Sequence, residues 1–281
     1  MKVIIQTYTT TGSVKPKNED AFEVINNLDN SDNSNIPLLY VGLFDGHGGG
    51  DISKTLINKE KINLSKYFCS TESPIAQKLL SGKSTNKLIE QLFTRVQEKL
   101  KNYYIRSNSM GSTAAISLIY PKKNKYSIKI INLGDCRTVI CNSYNIGNQL
   151  SLDHKPHLFS DNQRIINMGG IVEFENGDDP RINGMSVSRS FGDLDNKFIS
   201  QTSDIFDYDI NNDKFLIIAC DGLWDVLQNQ EVVDFVLSKY NKNTVNIKTK
   251  SENNIAYKLS ELAINKGSQD NITIIVIFFV N

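Results

Sequence analysis

Neither sign of charge is in excess: 31 lysines and arginines meet 31 aspartates and glutamates over 281 residues, for a formal net charge of zero. Such a chain has no global field to recruit nucleic acid or an anionic membrane. A basic stripe with interleaved aromatics is also missing, which again excludes nucleic acid as a partner. Cysteine is scarce, and the four present (Cys69, Cys136, Cys141, Cys220) show no CxxC spacing. That excludes the common zinc frames and a disulfide scaffold, and points to a reduced, intracellular protein, cytoplasmic or nuclear. No run approaches the roughly 20 apolar residues of a membrane span. "MKVIIQTYTT" has too short an apolar patch for a signal peptide, and no glycine follows Met1 as N-myristoylation requires. With no internal repeat and no proline-rich or serine-rich linker, residues 1–281 read as a single domain, a monomer by default.

What the chain has in quantity is apolar, β-branched runs: 3–6, 21–25, 38–44, 113–119, 126–133, 138–141, 215–219 and 272–280. Short links such as "YPKKNK" and "LGDCR" favour antiparallel hairpins over βαβ crossovers. Helical spacing is clearest over 86–104, where Leu88, Leu92, Val96 and Leu100 recur, and helices are also expected near 53–66, 161–168, 230–239 and 254–266. These blocks predict an α+β fold, sheets covered by helices. Segments 26–35 and 241–254 read as solvated loops, and the acid-rich, glycine-containing stretch 173–213 as a surface flap.

Carboxylates recur where apolar runs end: Glu19 and Asp20, Asp45, Asp135, Asp221 and Asp225, and Asp270. One such aspartate is most simply a cap or turn former. Repeated at strand end after strand end, carboxylates are costly to desolvate unless a cation meets them. Lysines and arginines are sparse beside them, so a divalent metal is the expected partner, and an oxygen-only ligand set favours Mg²⁺ or Mn²⁺ over zinc. Paired ions of that kind serve displacement at phosphorus, so metal-assisted phosphate hydrolysis is the expected chemistry. In "VGLFDGHGGG", Gly46 offers a carbonyl to a metal, and Gly48 to Gly50 let the backbone approach a phosphate or turn into a helix. His47 has two readings, a proton donor to a leaving alkoxide or a structural histidine. In "SLDHKP", Asp153 and His154 read as a turn with local hydrogen bonds.

The stretches "VKPKNEDAF", "LFDGHGG", "GSTAAISLI", "NLGDCRTVI", "LDHKP", "RIINMGGIV", "MSVSRSFGD", "ACDGLWDVLQNQEVVDFV" and "SQDNITIIVI" together resemble the metal-dependent serine/threonine phosphatases of the type 2C family, in the family's order. The resemblance implies a four-layer αββα sandwich of two antiparallel sheets flanked by helices, with a binuclear Mn²⁺ or Mg²⁺ centre between the sheets. It implies that Asp45 bridges both ions, that the Gly46 carbonyl ligates one, and that Asp221 and Asp270 ligate the other. Glu19, Asp20 and Thr113 would stand behind the metal waters. A third ion would draw on Asp135, Asp221 and Asp225. A bridging water would attack the phosphorus of a phosphoserine or phosphothreonine in a protein substrate, and His47 would protonate the leaving oxygen. Lys15 stands where the family usually has the arginine that grips phosphate, which implies weaker phosphate binding through loss of the planar fork. A catalytically weak relative, serving as a phosphoprotein-binding scaffold, is the alternative; it would be free to lose the ligand set, which is complete here.

Overall fold

In a computed structural model the described residues are 1–28, 36–103, 109–174, 179–240 and 253–280, so 29–35 of the loop expected over 26–35 and 241–252 of that expected over 241–254 lie outside them, while Asn26 ends a strand. One five-stranded sheet has the order β1 (Lys2–Thr10), β13 (Ile272–Val280), β12 (Phe215–Ala219), β8 (Arg137–Cys141), β9 (Gly147–Gln149). The other runs β11 (Asp204–Asp209), β7 (Lys125–Leu133), β6 (Ala114–Lys122), β3 (Leu39–Phe44), β2 (Ala21–Asn26). All pairings between neighbours in these sheets are antiparallel.

The apolar runs are continuous because both faces of each central strand are buried. On β3, Leu39, Val41 and Leu43 join Ile218 of β12 and Ile275 of β13 in the gap between the sheets. Tyr40 and Phe44, on the opposite face, pack under the helices Asp51–Ile57 and Asn86–Tyr103. On the far side, Phe215, Ile217, Ile274 and Val276 pack with residues of the helices Asn229–Lys239 and Ile255–Asn265. The result is helix, sheet, sheet, helix, as expected. Ile218 is fully buried in the middle layer, so Ile218→Ala should cost about 2–5 kcal/mol. An unfolding free energy, from denaturant titration, that falls by less than about 1 kcal/mol would show that the gap is loosely packed.

One hairpin forms as expected, three expectations change, and one helix is new. "YPKKNK" is a hairpin, with Lys122 opposite Lys125 and Lys123 at φ +56°. "LGDCR" is not: β7 and β8 belong to different sheets, and Gly134 (φ +105°) to Cys136 carry the chain from one to the other. The helix expected over 53–66 stops at Ile57, because the Asn58 side chain accepts from the Glu60 N–H and Leu64 N–H turns back to Leu56 O at 2.7 Å, which lets Ile62 and Leu64 enter the core. A helix not anticipated, Pro74–Leu80, starts on a Ser73 hydroxyl that accepts from Ala76 N–H. Finally, the stretch 173–213 is not all flap. Asp204–Asp209 is the edge strand β11; Asp207 is answered across the ladder by Lys129 at 2.8 Å, and Asp209 by Lys122, from β6 one strand further in, at 3.1 Å.

Candidate active site

The crossing between the sheets and the ends of β3, β12 and β13 deliver carboxylates to one cavity of about 320 Å³, lined among others by Glu19, Asp45, His47, Asp135, Asp221 and Asp270. Asp45 leaves β3 with its backbone clamped to Thr113: its N–H donates to Thr113 Oγ1 at 3.1 Å, and its carbonyl accepts from Thr113 N–H at 2.9 Å. A side chain at Gly46 would collide with the Glu19 carbonyl, which also accepts from the Ser53 hydroxyl. Gly48 (φ +68°) and Gly49 (φ +137°) then turn the chain into the helix Asp51–Ile57. Asp221 opens the short helix after β12, with Asp225 as its last cap, and Asp270 precedes β13.

These groups crowd each other. One oxygen each of Asp45, Asp135 and Asp221 lies within 4.8 Å of the others, and Asp20, Asp45 and the Cys220 sulfur form a second such group. Withdrawal from water, followed by the charges of Asp221, Asp20, Asp135 and Asp270, pushes Asp45 well above the usual carboxylate range. Asp221 is pushed up the same way, by burial and then by Asp135 and Asp225, with Lys155 opposing. Burial lifts Asp20 to about 6 against hydrogen bonds from Thr273 and Cys220, and lifts Asp225 to about 6 against Lys155. Two buried oxygens, Asp20 Oδ1 and Asp135 Oδ1, have no hydrogen-bond partner. Repelling, unmatched carboxylates with idle oxygens are the chemistry of a hard-cation site, and oxygen-only donors fit Mg²⁺ or Mn²⁺. Cys220 stays a thiol, its pKa held far up by burial, and its sulfur contacts the Asn271 carbonyl and Thr273 N–H.

Every residue expected at the site is near it, though some do different work. Asp20 lies behind the cavity and accepts from the Thr273 hydroxyl at 2.5 Å. The Thr113 hydroxyl is committed to Asp45 N–H and to Cys136 at 3.1 Å, so it braces Asp45. Lys15 reaches Asp270 at 2.9 Å; burial, the largest influence, lowers its pKa, but Asp270, Asp221 and Asp45 together raise it above the ordinary amine value. Asp225 is half exposed, at the rim.

Two functional candidates went unrecognised. Lys155, inside the supposed turn "SLDHKP", meets Asp135 at 3.0 Å, Asp179 at 2.7 Å and Asp225 at 3.8 Å, two of the three carboxylates expected for a third ion together with one from the flap. Asp193, in "MSVSRSFGD", binds His47 Nε2 at 2.7 Å. The rest of "SLDHKP" is structural, but through distant partners: Asp153 takes a fork from Arg137, and His154 accepts from Gly134 N–H at 3.0 Å and faces Asp204 at 3.1 Å. Only a basic residue and an acid inside the quoted blocks hinted at Lys155 and Asp193.

Comparison with known proteins agrees with this geometry. The family model described as Protein phosphatase 2C matches residues 7–272. A PP2C-like domain-containing protein of Acanthamoeba polyphaga mimivirus is 39% identical over 176 residues, covering 56% of this chain and 97% of the viral protein. Human protein phosphatase 1A is 30% identical over 258 residues, covering 86% of this chain and 63% of its own length. The solved structure of a phosphatase from a pathogenic strain of Toxoplasma gondii matches with a TM-score of 0.75 at 19% identity, over 99% of this chain and 96% of that one, a likeness of fold. Motif order, fold and carboxylate cluster thus converge, and the chain belongs to the protein phosphatase 2C family of serine/threonine protein phosphatases.

Proposed function

We propose that the chain hydrolyses phosphoserine and phosphothreonine esters of proteins with the help of two divalent cations, Mn²⁺ or Mg²⁺. The observation that carries this reading is the convergence of Asp45, Asp135, Asp221 and Asp270 on one cavity, where carboxylates outnumber the lysines that reach them, Lys15 at Asp270 and Lys155 at Asp135. Asp45, the Gly46 carbonyl, Asp221 and Asp270 would hold the ions, with Glu19 and Asp20 behind them. Bound there, the cations supply positive charge to the phosphate and acidify the attacking water.

The protein's own groups do the rest. Lys15, half exposed beside Asp270, offers its ammonium to the non-bridging phosphate oxygens. His47, on the wall of the same cavity, gives a proton to the departing seryl or threonyl oxygen, which leaves poorly as an alkoxide. A third cation at Asp135 and Asp225 would share those carboxylates with Lys155.

Release of phosphate from a phosphothreonine peptide with Mn²⁺, with Mg²⁺ and with a chelator tests the proposal. Turnover should need metal; a folded protein inert with both ions would overturn it. Lys15→Arg, which restores the fork, should lower KM for the peptide by a factor of about 2 to 10. An unchanged or raised KM would mean that Lys15 does not hold phosphate.

A further inference from the structure

We propose that Asp193 is the positioning residue of His47, fixing which ring nitrogen faces the substrate. The inference rests on the phosphatase reading above and assigns a part of its machinery to a segment 146 residues away in the chain.

The pair is assembled by a third, miniature antiparallel sheet, β10 (Phe191–Gly192), β5 (Gly111–Ser112), β4 (Gly46–His47). His47 is opposite Gly111 in one ladder, and Gly192 is opposite Gly111 in the other, so His47 and Asp193 approach each other over residue 111. A Cβ there would overlap both Asp193 Oδ2 and His47 Nε2. The space occupied by the pair is the side chain that Gly111 lacks.

Asp193 is held from several directions. It is 3% exposed and sits at φ +48°, a left-handed conformation uncommon for a residue with a side chain. Its N–H donates to Met110 O at 2.9 Å. The Gln97 side chain, from the helix Asn86–Tyr103, takes both backbone groups of the preceding Gly192, at 2.8 and 2.9 Å. The Ser190 hydroxyl donates to Asp193 Oδ2, the same oxygen that meets His47. A carboxylate already accepting from Ser190 accepts again from the ring, which puts a hydrogen on Nε2. Nδ1, which has no hydrogen-bond partner among the described residues, is left for the cavity. The acid form of the ring carries a second hydrogen, on Nδ1; as the P–O bond breaks, its electron pair stays on the seryl or threonyl oxygen and takes that Nδ1 proton, and the ring is left neutral, still donating from Nε2 to Asp193.

The prediction is a split by leaving group. Asp193→Asn should lower kcat on a phosphothreonine peptide by about 10- to 100-fold, with KM little changed. On p-nitrophenyl phosphate, whose leaving group departs without a proton, the fall should be at least about tenfold smaller. His47→Gln should show the same split, and the double variant should be no slower than His47→Gln alone. Gly111→Ala, which keeps both partners but takes their space, should reproduce it. In the intact protein, nitrogen NMR at alkaline pH should show the His47 ring as the Nε2–H tautomer; with three histidines in the chain the signal is assignable by substitution. An Nδ1–H tautomer, equal losses on both substrates, or additive losses in the double variant would each overturn the role of Asp193 while leaving the phosphatase reading standing. A folded wild-type protein inert on both substrates with metal would overturn that reading, and this one with it.

Discussion

Asp221→Asn should reduce phosphate release from a phosphothreonine peptide by at least about 1000-fold in saturating Mn²⁺, and at the same time raise the melting temperature of the metal-free protein. Both effects come from one carboxylate. Asp221 is pushed up by burial and by Asp135 and Asp225, so in the absence of a cation its charge is a liability. The amide keeps the shape and one oxygen but removes the charge that would hold a divalent ion. Phosphate release measures the first effect and a thermal melt in chelator the second. Residual turnover within about tenfold of wild type would remove Asp221 from the metal centre. A lower melting point without metal would mean that the cluster is not under electrostatic stress.

The second large effect is a pH dependence that metal should erase. Asp20 stands at about 6 in the folded protein against an ordinary 3.8, Asp225 likewise at about 6, and burial and neighbouring carboxylates push Asp45 and Asp221 up as well. Groups whose folded pKa is raised favour the folded state below their unfolded pKa, and that advantage is lost as pH rises through the folded value. The metal-free protein should therefore lose stability as pH climbs from about 4 through about 6 and beyond, the Asp20 shift alone amounting to about 3 kcal/mol. Saturating Mn²⁺ binds the ionised carboxylates of the folded state, so it should flatten the curve and stabilise the protein by about 4 kcal/mol at a thousandfold excess over Kd. Denaturant titrations across pH, with and without Mn²⁺, check this. Stability that rises with pH in chelator would reverse the sign and refute it.

The parts of the fold legible in the sequence were those that packing makes repetitive. Phe215–Ala219 is apolar throughout and Ile272–Val280 at every position but Thr273, because helices cover one face and the partner sheet the other. β11 was hidden because it is an edge strand whose Asp207 and Asp209 look like flap acids until Lys129 of β7 and Lys122 of β6 are placed beside them. "LGDCR" was misread because alternation tells which way a side chain points but not which sheet a strand joins. The site followed the same division. Asp45, Asp221 and Asp270 announce themselves as charges at the ends of buried runs, a local conflict visible in one dimension. Lys155 and Asp193 act only through where the tertiary fold puts them, beside Asp135 and His47, and neither breaks a local rule that a reader of the chain could notice.

The register of β1 against β13, Lys2 opposite Val280, bears on how the molecule is made. On the ribosome β1 emerges long before β13 and can find that partner only once residues 272–280 have been synthesised. Meanwhile the sheet β11-β7-β6-β3-β2 is available as soon as residue 209 is out, its inner apolar face with Leu39, Val41 and Leu43 awaiting Ile218 and Ile275. At about 5–20 residues per second, that face stands uncovered for seconds, a natural substrate for a chaperone. Asp221 and Asp270 arrive in the same late portion of the chain, so prematurely terminated products would carry most of a fold and no chemistry, and a cell would be spared a phosphatase that acts before it is finished.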